Sequence, residues 1–156
     1  MLRLLARLAV RLPAGILGRT LNPAARRPVP ASGVGFDSFA RRRYCLLLTR
    51  RRDGRLVPTP LWFALDGDRL LLRTAADSAK VRRVRRDPSV LVAPCDIRGK
   101  PLGPAVAGRA RELSDPAERA AAERAITARY GTFGRLWAAL VRTGRLEAAY
   151  LEVRKA

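Results

Sequence analysis

Hydrophobic and polar residues alternate over several short segments of the chain, a pattern typical of half-buried β-strands. Arg52-Asp53-Gly54 and Asp66-Gly67-Asp68 separate neighbouring segments and have the composition of hairpin turns. Pro58 and Pro60 lack the N–H donors of a central strand, so their strand must lie on an edge or at a bulge. We predict six strands, over residues 44–50, 55–65, 69–74, 89–95, 104–113 and 148–153.

Helical patterns interrupt this series of strands. We predict helices over residues 37–41, 78–86, 116–130 and 133–142. Proline and glycine bound them: Asp87-Pro88 ends the second, Ser114-Asp115-Pro116 starts the third, and Gly131 separates the last two. The last helix carries Phe133, Leu136, Trp137, Leu140 and Val141 on one side, which predicts a buried helix face; the alternative is a cover over a pocket. Hairpins in series with inserted helices predict a mainly β fold, a six-stranded antiparallel barrel with flanking helices.

The sequence divides into an N-terminal extension, residues 1–34, and a barrel domain, residues 35–156. Residues 1–12 are amphipathic, with Arg3, Arg7 and Arg11 on one face, and Pro13 ends a run too short to span a bilayer. This face suits an anionic membrane surface, and it equally suits packing on the barrel or a partner subunit. Residues 22–34 are rich in proline and predict a linker.

The 156 residues carry a formal net charge of +19, and 48% of them are hydrophobic, as expected of one folded domain. Such a charge suits nucleic acid, anionic lipid or a polyanionic ligand, but an arginine-rich composition with solvated side chains explains it equally well. The sequence contains no helix-turn-helix or zinc-finger pattern. We therefore expect no specific nucleic-acid partner.

The chain contains no histidine, which excludes Ser-His-Asp and Cys-His catalysis and every histidine-ligated zinc or haem site. Cys45 and Cys95 fall in predicted strands and are too few for a cysteine-ligated metal. We expect both to be buried apolar thiols in a cytoplasmic protein, and a disulfide between them is the alternative. We predict no metal and no catalytic side chain.

One strand-to-helix junction has the chemistry of an anion site. The strand ends at Arg73-Thr74, and after a short turn a helix begins near Ser78, with Lys80 in its first turn. Unpaired N–H groups at a helix start attract anions, and a lysine beside them adds a full positive charge. On a helical wheel Lys80 lies at the flank of the inward side formed by Val81 and Val84, with Arg82, Arg83 and Arg86 outward. The junction predicts a site for a phosphate-bearing cofactor.

This junction, read RLLLRTAADSAKVRRVRRDP over residues 69–88, follows PTPLWF and precedes VLVAPCD. Together these segments resemble the FMN-binding split β-barrel proteins of the pyridoxamine 5'-phosphate oxidase-like superfamily, and within them the actinobacterial branch that uses coenzyme F420. The resemblance covers about residues 36–153. It implies a homodimer with the cofactor between two barrels, and an oxidoreductase that transfers a hydride between the deazaflavin and an unsaturated small organic molecule. The alternatives are FMN in the same groove or a non-catalytic binder of either cofactor. A more distant alternative is a basic protein that binds nucleic acid or a membrane surface.

The resemblance also implies which residues bind the cofactor. Those along its ring are Thr59, Pro60, Leu61 and Trp62, and those on its phosphate are Arg73, Thr74, Ser78, Ala79 and Lys80. Arg82 and Arg85 help there or bind an acidic tail. Because adjacent strand residues face opposite ways, one of Trp62 and Phe63 must be ordinary core, and we assign Trp62 to the cofactor side.

Overall fold

The structure, a computed structural model, describes residues 21–26, 35–144 and 147–156. Seven strands form one antiparallel sheet. They are β1 (Tyr44–Arg50), β2 (Leu56–Leu61), β3 (Phe63–Asp66), β4 (Arg69–Ala75), β5 (Ser89–Cys95), β6 (Val106–Glu112) and β7 (Ala148–Lys155). The helices are α1 (Ala79–Arg86), between β4 and β5, and α2 (Pro116–Arg142), between β6 and β7. Two 3-10 helices, Pro23–Arg26 and Phe36–Phe39, precede β1.

The sheet order is β2-β1-β5-β6-β7-β4-β3, so two strands that follow each other in sequence occupy its opposite edges. A single residue, Trp62, joins them. The sheet therefore curls into a barrel, and the predicted strand over residues 55–65 crosses from one edge to the other. Because the predicted strand over residues 55–65 is divided in two, the sheet has seven strands and not the six that we predicted. The predicted fold class, a mainly β antiparallel barrel with flanking helices, is confirmed.

The barrel interior holds one apolar cluster, and two separate regions of the outer face of the sheet hold two more. The interior cluster includes Leu47, Phe63, Leu72, Val92 and Leu151. A second cluster packs the outer face of β3, β4 and β7 against α2, and a third covers the outer face of β1 and β5. Alternation of side chains along each strand thus decides which cluster a residue joins.

Of the two segments predicted at the N-terminus, the structure describes only part of the second. The amphipathic segment 1–12 lies outside them. Within the predicted linker 22–34, residues Pro23–Arg26 form a 3-10 helix, and Ala25 is fully buried against the outer face of β1 and β5. No helix among the described residues is long and apolar enough to cross a membrane.

The prediction of a buried face on the last helix is wrong at two residues. α2 bends sharply at Gly131, whose φ of 56° favours glycine, and this bend replaces the predicted break between two helices. Beyond the bend, Trp137 and Leu140 are half-buried, but Phe133 is 73% and Leu136 61% exposed. The apolar stripe is wider than the surface on which the helix packs.

Candidate cofactor site

α1 lies across one end of the barrel, where β1 and β6 end. Val81 and Val84 are buried beneath it, as the helical wheel predicts. Lys80 is also buried, with 7% of its surface exposed. Its ammonium donates to the Oγ1 of Thr74, 2.9 Å away, and no carboxylate of the described chain lies within ion-pair distance of it. An ammonium has three donors, so two remain for a ligand.

The N-terminus of α1 is not capped. Ser78 occupies the cap position, but its side chain makes no capping hydrogen bond, and its buried Oγ has no partner. The backbone N–H groups of Ala79 and Lys80 donate to no acceptor among the described residues. The first N–H groups of any helix lack a partner within the helix, but the Ser78 hydroxyl is buried and unpaired, and buried polar groups are almost always paired in folded proteins. These donors together indicate a site for an acceptor. We call Thr74, Ser78, Ala79 and Lys80 the cradle.

A second cation adds to the positive charge of the cradle. Arg83 lies one turn after Lys80, is half-buried, and donates from Nε to the Oγ1 of Thr49 over 2.7 Å. Burial and, to a smaller extent, the charge of Arg83 lower the pKa of Lys80 to about 8, while Asp77 opposes the shift. Burial likewise lowers the pKa of Arg83, together with the charges of three neighbouring arginines. These cations repel each other, and an anion bound between them would relieve that repulsion.

Arg83 was predicted to face solvent and Thr49 was not predicted to lie near the site, yet the two contact each other beside the cradle. The signal for Arg83 was its spacing of three residues from Lys80, which puts both side chains on one helix face, whereas no local pattern marked Thr49.

The structure brings Thr74 to Lys80 but not Arg73. Even-numbered residues of β4 face the barrel interior, whereas Arg73 faces α2. There its guanidinium is 2.6 Å from Glu123 and stacks over Trp62 and Trp137. Adjacent strand residues cannot both face the same turn, which corrects the expectation that Arg73 and Thr74 act together.

The remaining predicted residues divide in the same way. Phe63 is interior core, but Trp62 lies toward α2 and stacks on Tyr130, with ring centres 4.6 Å apart. Arg82 is exposed and donates to the carbonyl of Asp77. Arg85 donates to the Glu112 carboxylate from its Nε and Nη2. None of Trp62, Arg82 and Arg85 is engaged with the cradle in the structure.

β2 places its end beside the cradle. The register Phe63↔Leu72, continued past the end of β3, sets Leu61 level with Thr74, and β2 lies against β4. Leu61 packs on the interior cluster, so alternation turns Thr59 to the same side and Pro60 to the other. All three are half-buried. The end of β2 therefore lies near the end of β4 that carries Thr74 of the cradle.

The cysteines of the barrel are free thiols on opposite faces of the sheet. Cys45 joins the interior cluster and Cys95 the outer cluster over β1 and β5. Burial raises the pKa of both thiols, that of Cys95 to about 12. Neither is positioned as a nucleophile.

The buried Lys80 ammonium should make stability depend on pH. Below pH 8 the amine is charged in the folded and the unfolded chain; between about 8 and its ordinary value of 10.5, only the unfolded chain keeps the proton. The free energy of unfolding contributed by this group should therefore rise by about 2 kcal/mol from pH 7 to pH 10. Urea unfolding of wild type and Lys80→Met at both pH values measures it, since all other titrations cancel in the difference. Parallel pH profiles of the two proteins would contradict the buried charge.

A comparison of sequences identifies the class of protein to which this fold and its cradle belong. A family profile described as pyridoxamine 5'-phosphate oxidase matches residues 36–154, and the chain belongs to this family. A search of curated proteins finds no matching relative.

Several solved structures share the fold. A conserved hypothetical protein from Mycobacterium tuberculosis superposes with a TM-score of 0.60 at 19% identity, covering 86% of this chain and 84% of that one. An F420 reductase superposes with a TM-score of 0.54 at 20% identity, covering 81% and 96%. An FAD-binding protein from Mesorhizobium loti gives 0.55 at 18% identity, covering 76% and 85%. At sequence identities this low, the superpositions establish a shared fold only. The choice of cofactor must be argued from the residues of the site.

Proposed function

We propose that the chain is an oxidoreductase that binds a phosphate-bearing flavin or deazaflavin at the cradle. The observation that carries the proposal is the buried Lys80 ammonium, which has no carboxylate partner in the described part of the chain and lies at an uncapped helix start. Phosphate oxygens would accept from its two free donors, from the N–H groups of Ala79 and Lys80, and from the orphan hydroxyl of Ser78. The residues present thus fit a phosphate group.

The chemistry comes from the cofactor, whose ring supplies hydride transfer when it is bound. The chain's own residues hold and orient it: the cradle fixes the phosphate, and the half-buried end of β2, which includes Thr59 and Pro60, lies along the ring. No side chain at the cradle is a carboxylic acid or an imidazole. We propose that solvent protonates the product and that the substrate is a small unsaturated organic molecule.

Coenzyme F420 is our first choice of cofactor, and FMN is the alternative. The support is the residue pattern from Ala76 to Arg83, which resembles the F420-dependent branch, and the F420 reductase among the structures of the same fold adds to it. We further propose a homodimer with one cofactor at each end of the interface, in the cytoplasm, where free buried thiols are usual.

Side-by-side titration with coenzyme F420 and FMN tests the cofactor. We expect saturable binding of coenzyme F420, followed by the change in its intrinsic fluorescence, and weaker binding of FMN. Tighter binding of FMN than of coenzyme F420 would make the protein a flavin enzyme. If the protein bound neither cofactor, the proposal would be refuted. Binding of coenzyme F420 without turnover of any unsaturated acceptor would instead favour a carrier of the cofactor.

A further inference from the structure

The part of α2 beyond its bend exposes an apolar ridge. Phe133 and Leu136 are 73% and 61% exposed, the largest exposures of bulky hydrophobic side chains among the described residues. Half-buried Leu140 continues the ridge one turn further. The opposite side of the helix packs on the protein: Gly134 is buried so close to the first half of α2 that an added Cβ would lie 2.7 Å from the carbonyl oxygen of Thr127. The ridge therefore points away from the barrel.

A basic ridge runs beside the apolar one. Arg135 and Arg142 are seven residues apart, thus on one side of the helix, and both are exposed. Small residues, Thr132 and Ala139, lie between the two ridges. The chain has no acidic residue from position 124 to position 146, whereas this stretch holds five arginines. The exposed face of this helix is therefore half apolar and half cationic, without a counter-charge of its own.

We infer that this face, Phe133, Leu136, Arg135 and Arg142, docks the protein on an anionic lipid surface. A helix with bulky apolar residues on one side and arginines beside them lies in the plane of a membrane interface, where the apolar residues enter the acyl boundary and the arginines meet headgroup phosphates. The net charge of +19 attracts the whole protein to such a surface. The inference stands independently of the proposed cofactor.

A second copy of the chain suits the face less well. A two-fold symmetric contact places the same patch against itself, so the ridges of Arg135 and Arg142 on both copies would be drawn together. Like charges in an interface oppose association, and the stretch from 124 to 146 offers no carboxylate to pair with them. An anionic membrane supplies the missing charge and the apolar phase together.

Vesicle partitioning of the full chain tests this inference. The vesicles are equal parts phosphatidylglycerol and phosphatidylcholine, with phosphatidylcholine alone for comparison. We expect the double variant Phe133→Ser/Leu136→Ser to partition at least about tenfold less to anionic vesicles than wild type, because each burial of a large apolar side chain contributes about a factor of ten. Ile97→Ser/Leu102→Ser is the matched control, since these side chains are also exposed apolar residues, at 53% and 40%, and it should partition like wild type.

Two further measurements decide whether a lipid surface or a second copy of the chain covers this face. Brominated lipid should quench the fluorescence of Phe133→Trp more than that of the wild type, which already contains Trp62 and Trp137, and the excess quenching reports entry of position 133 into the acyl region. Equal partitioning of the wild type and the Phe133→Ser/Leu136→Ser variant would overturn the inference, because charge alone would then explain binding. A wild-type dimer in sedimentation that dissociates in that variant would overturn it as well, since a second copy would cover the face.

Discussion

The Lys80→Met variant is expected to bind coenzyme F420, or FMN if that is the cofactor, at least about a hundredfold more weakly than wild type. Two donors of the Lys80 ammonium are free, and a hydrogen bond from a charged group contributes about 1.5–3 kcal/mol. Loss of both therefore removes about 3 kcal/mol, which corresponds to the stated factor. Isothermal titration calorimetry or fluorescence titration of the purified protein measures it.

The control for this variant is Arg124→Met, which removes one positive charge from an exposed position on α2. It should bind the cofactor as wild type does, so that any loss in Lys80→Met reports the cradle and not the net charge. Lys80→Met should remain folded, since methionine fills the same buried space without a charge. Unchanged affinity in a folded Lys80→Met protein would refute the phosphate assignment while leaving the barrel and its family as they are.

The Glu123→Leu variant is expected to lose about 3–5 kcal/mol of stability, the usual effect of removing one partner of a buried ion pair. The Glu123 carboxylate accepts hydrogen bonds from Arg73, Thr127 and the hydroxyl of Tyr150. Arg73 has a side chain only 1% exposed, and burial already lowers its pKa. Leucine keeps the volume but leaves the guanidinium without a counter-charge. Urea denaturation at neutral pH measures the change.

Glu112→Leu provides the comparison for that experiment. Glu112 binds Arg85 with both oxygens, but the Arg85 side chain is 57% exposed, and an exposed pair contributes about 1 kcal/mol or less. Equal losses in the two variants would mean that the Arg73–Glu123 pair is no more costly to break than a surface pair.

Local patterns predicted the strands and the start of α1 well, because alternation and turn chemistry act over a few residues. The hairpin at Gly54 has the positive φ that the sequence predicts, and Pro58 and Pro60 lie on an edge strand as required. The division at Trp62 was out of reach, because it depends on two edges meeting across the whole sheet. No local signal marks a strand that changes partners.

Side-chain direction limited the prediction of the site. The sequence placed Lys80 correctly at the flank of the buried side, but it grouped Arg73 with Thr74 although neighbours on a strand face apart. The partner of Arg73 is Glu123, 50 residues away on α2, and such long-range pairs leave no trace in one sequence. Phe133 and Leu136 show the same limit, since a helical wheel gives the width of an apolar stripe but not how much of it the rest of the fold covers.

The two prolines of β2 explain why the barrel stays split. Pro58 and Pro60 pair with Leu48 and Leu46 of β1, so the ladder bonds to β1 must come from the alternate residues of β2, and the prolines sit where an N–H would point to the free edge. The β3–β4 register, carried onward, would set Pro60 against Ala75. Because prolines have no N–H to donate there, β2 cannot extend the β-ladder along the end of β4.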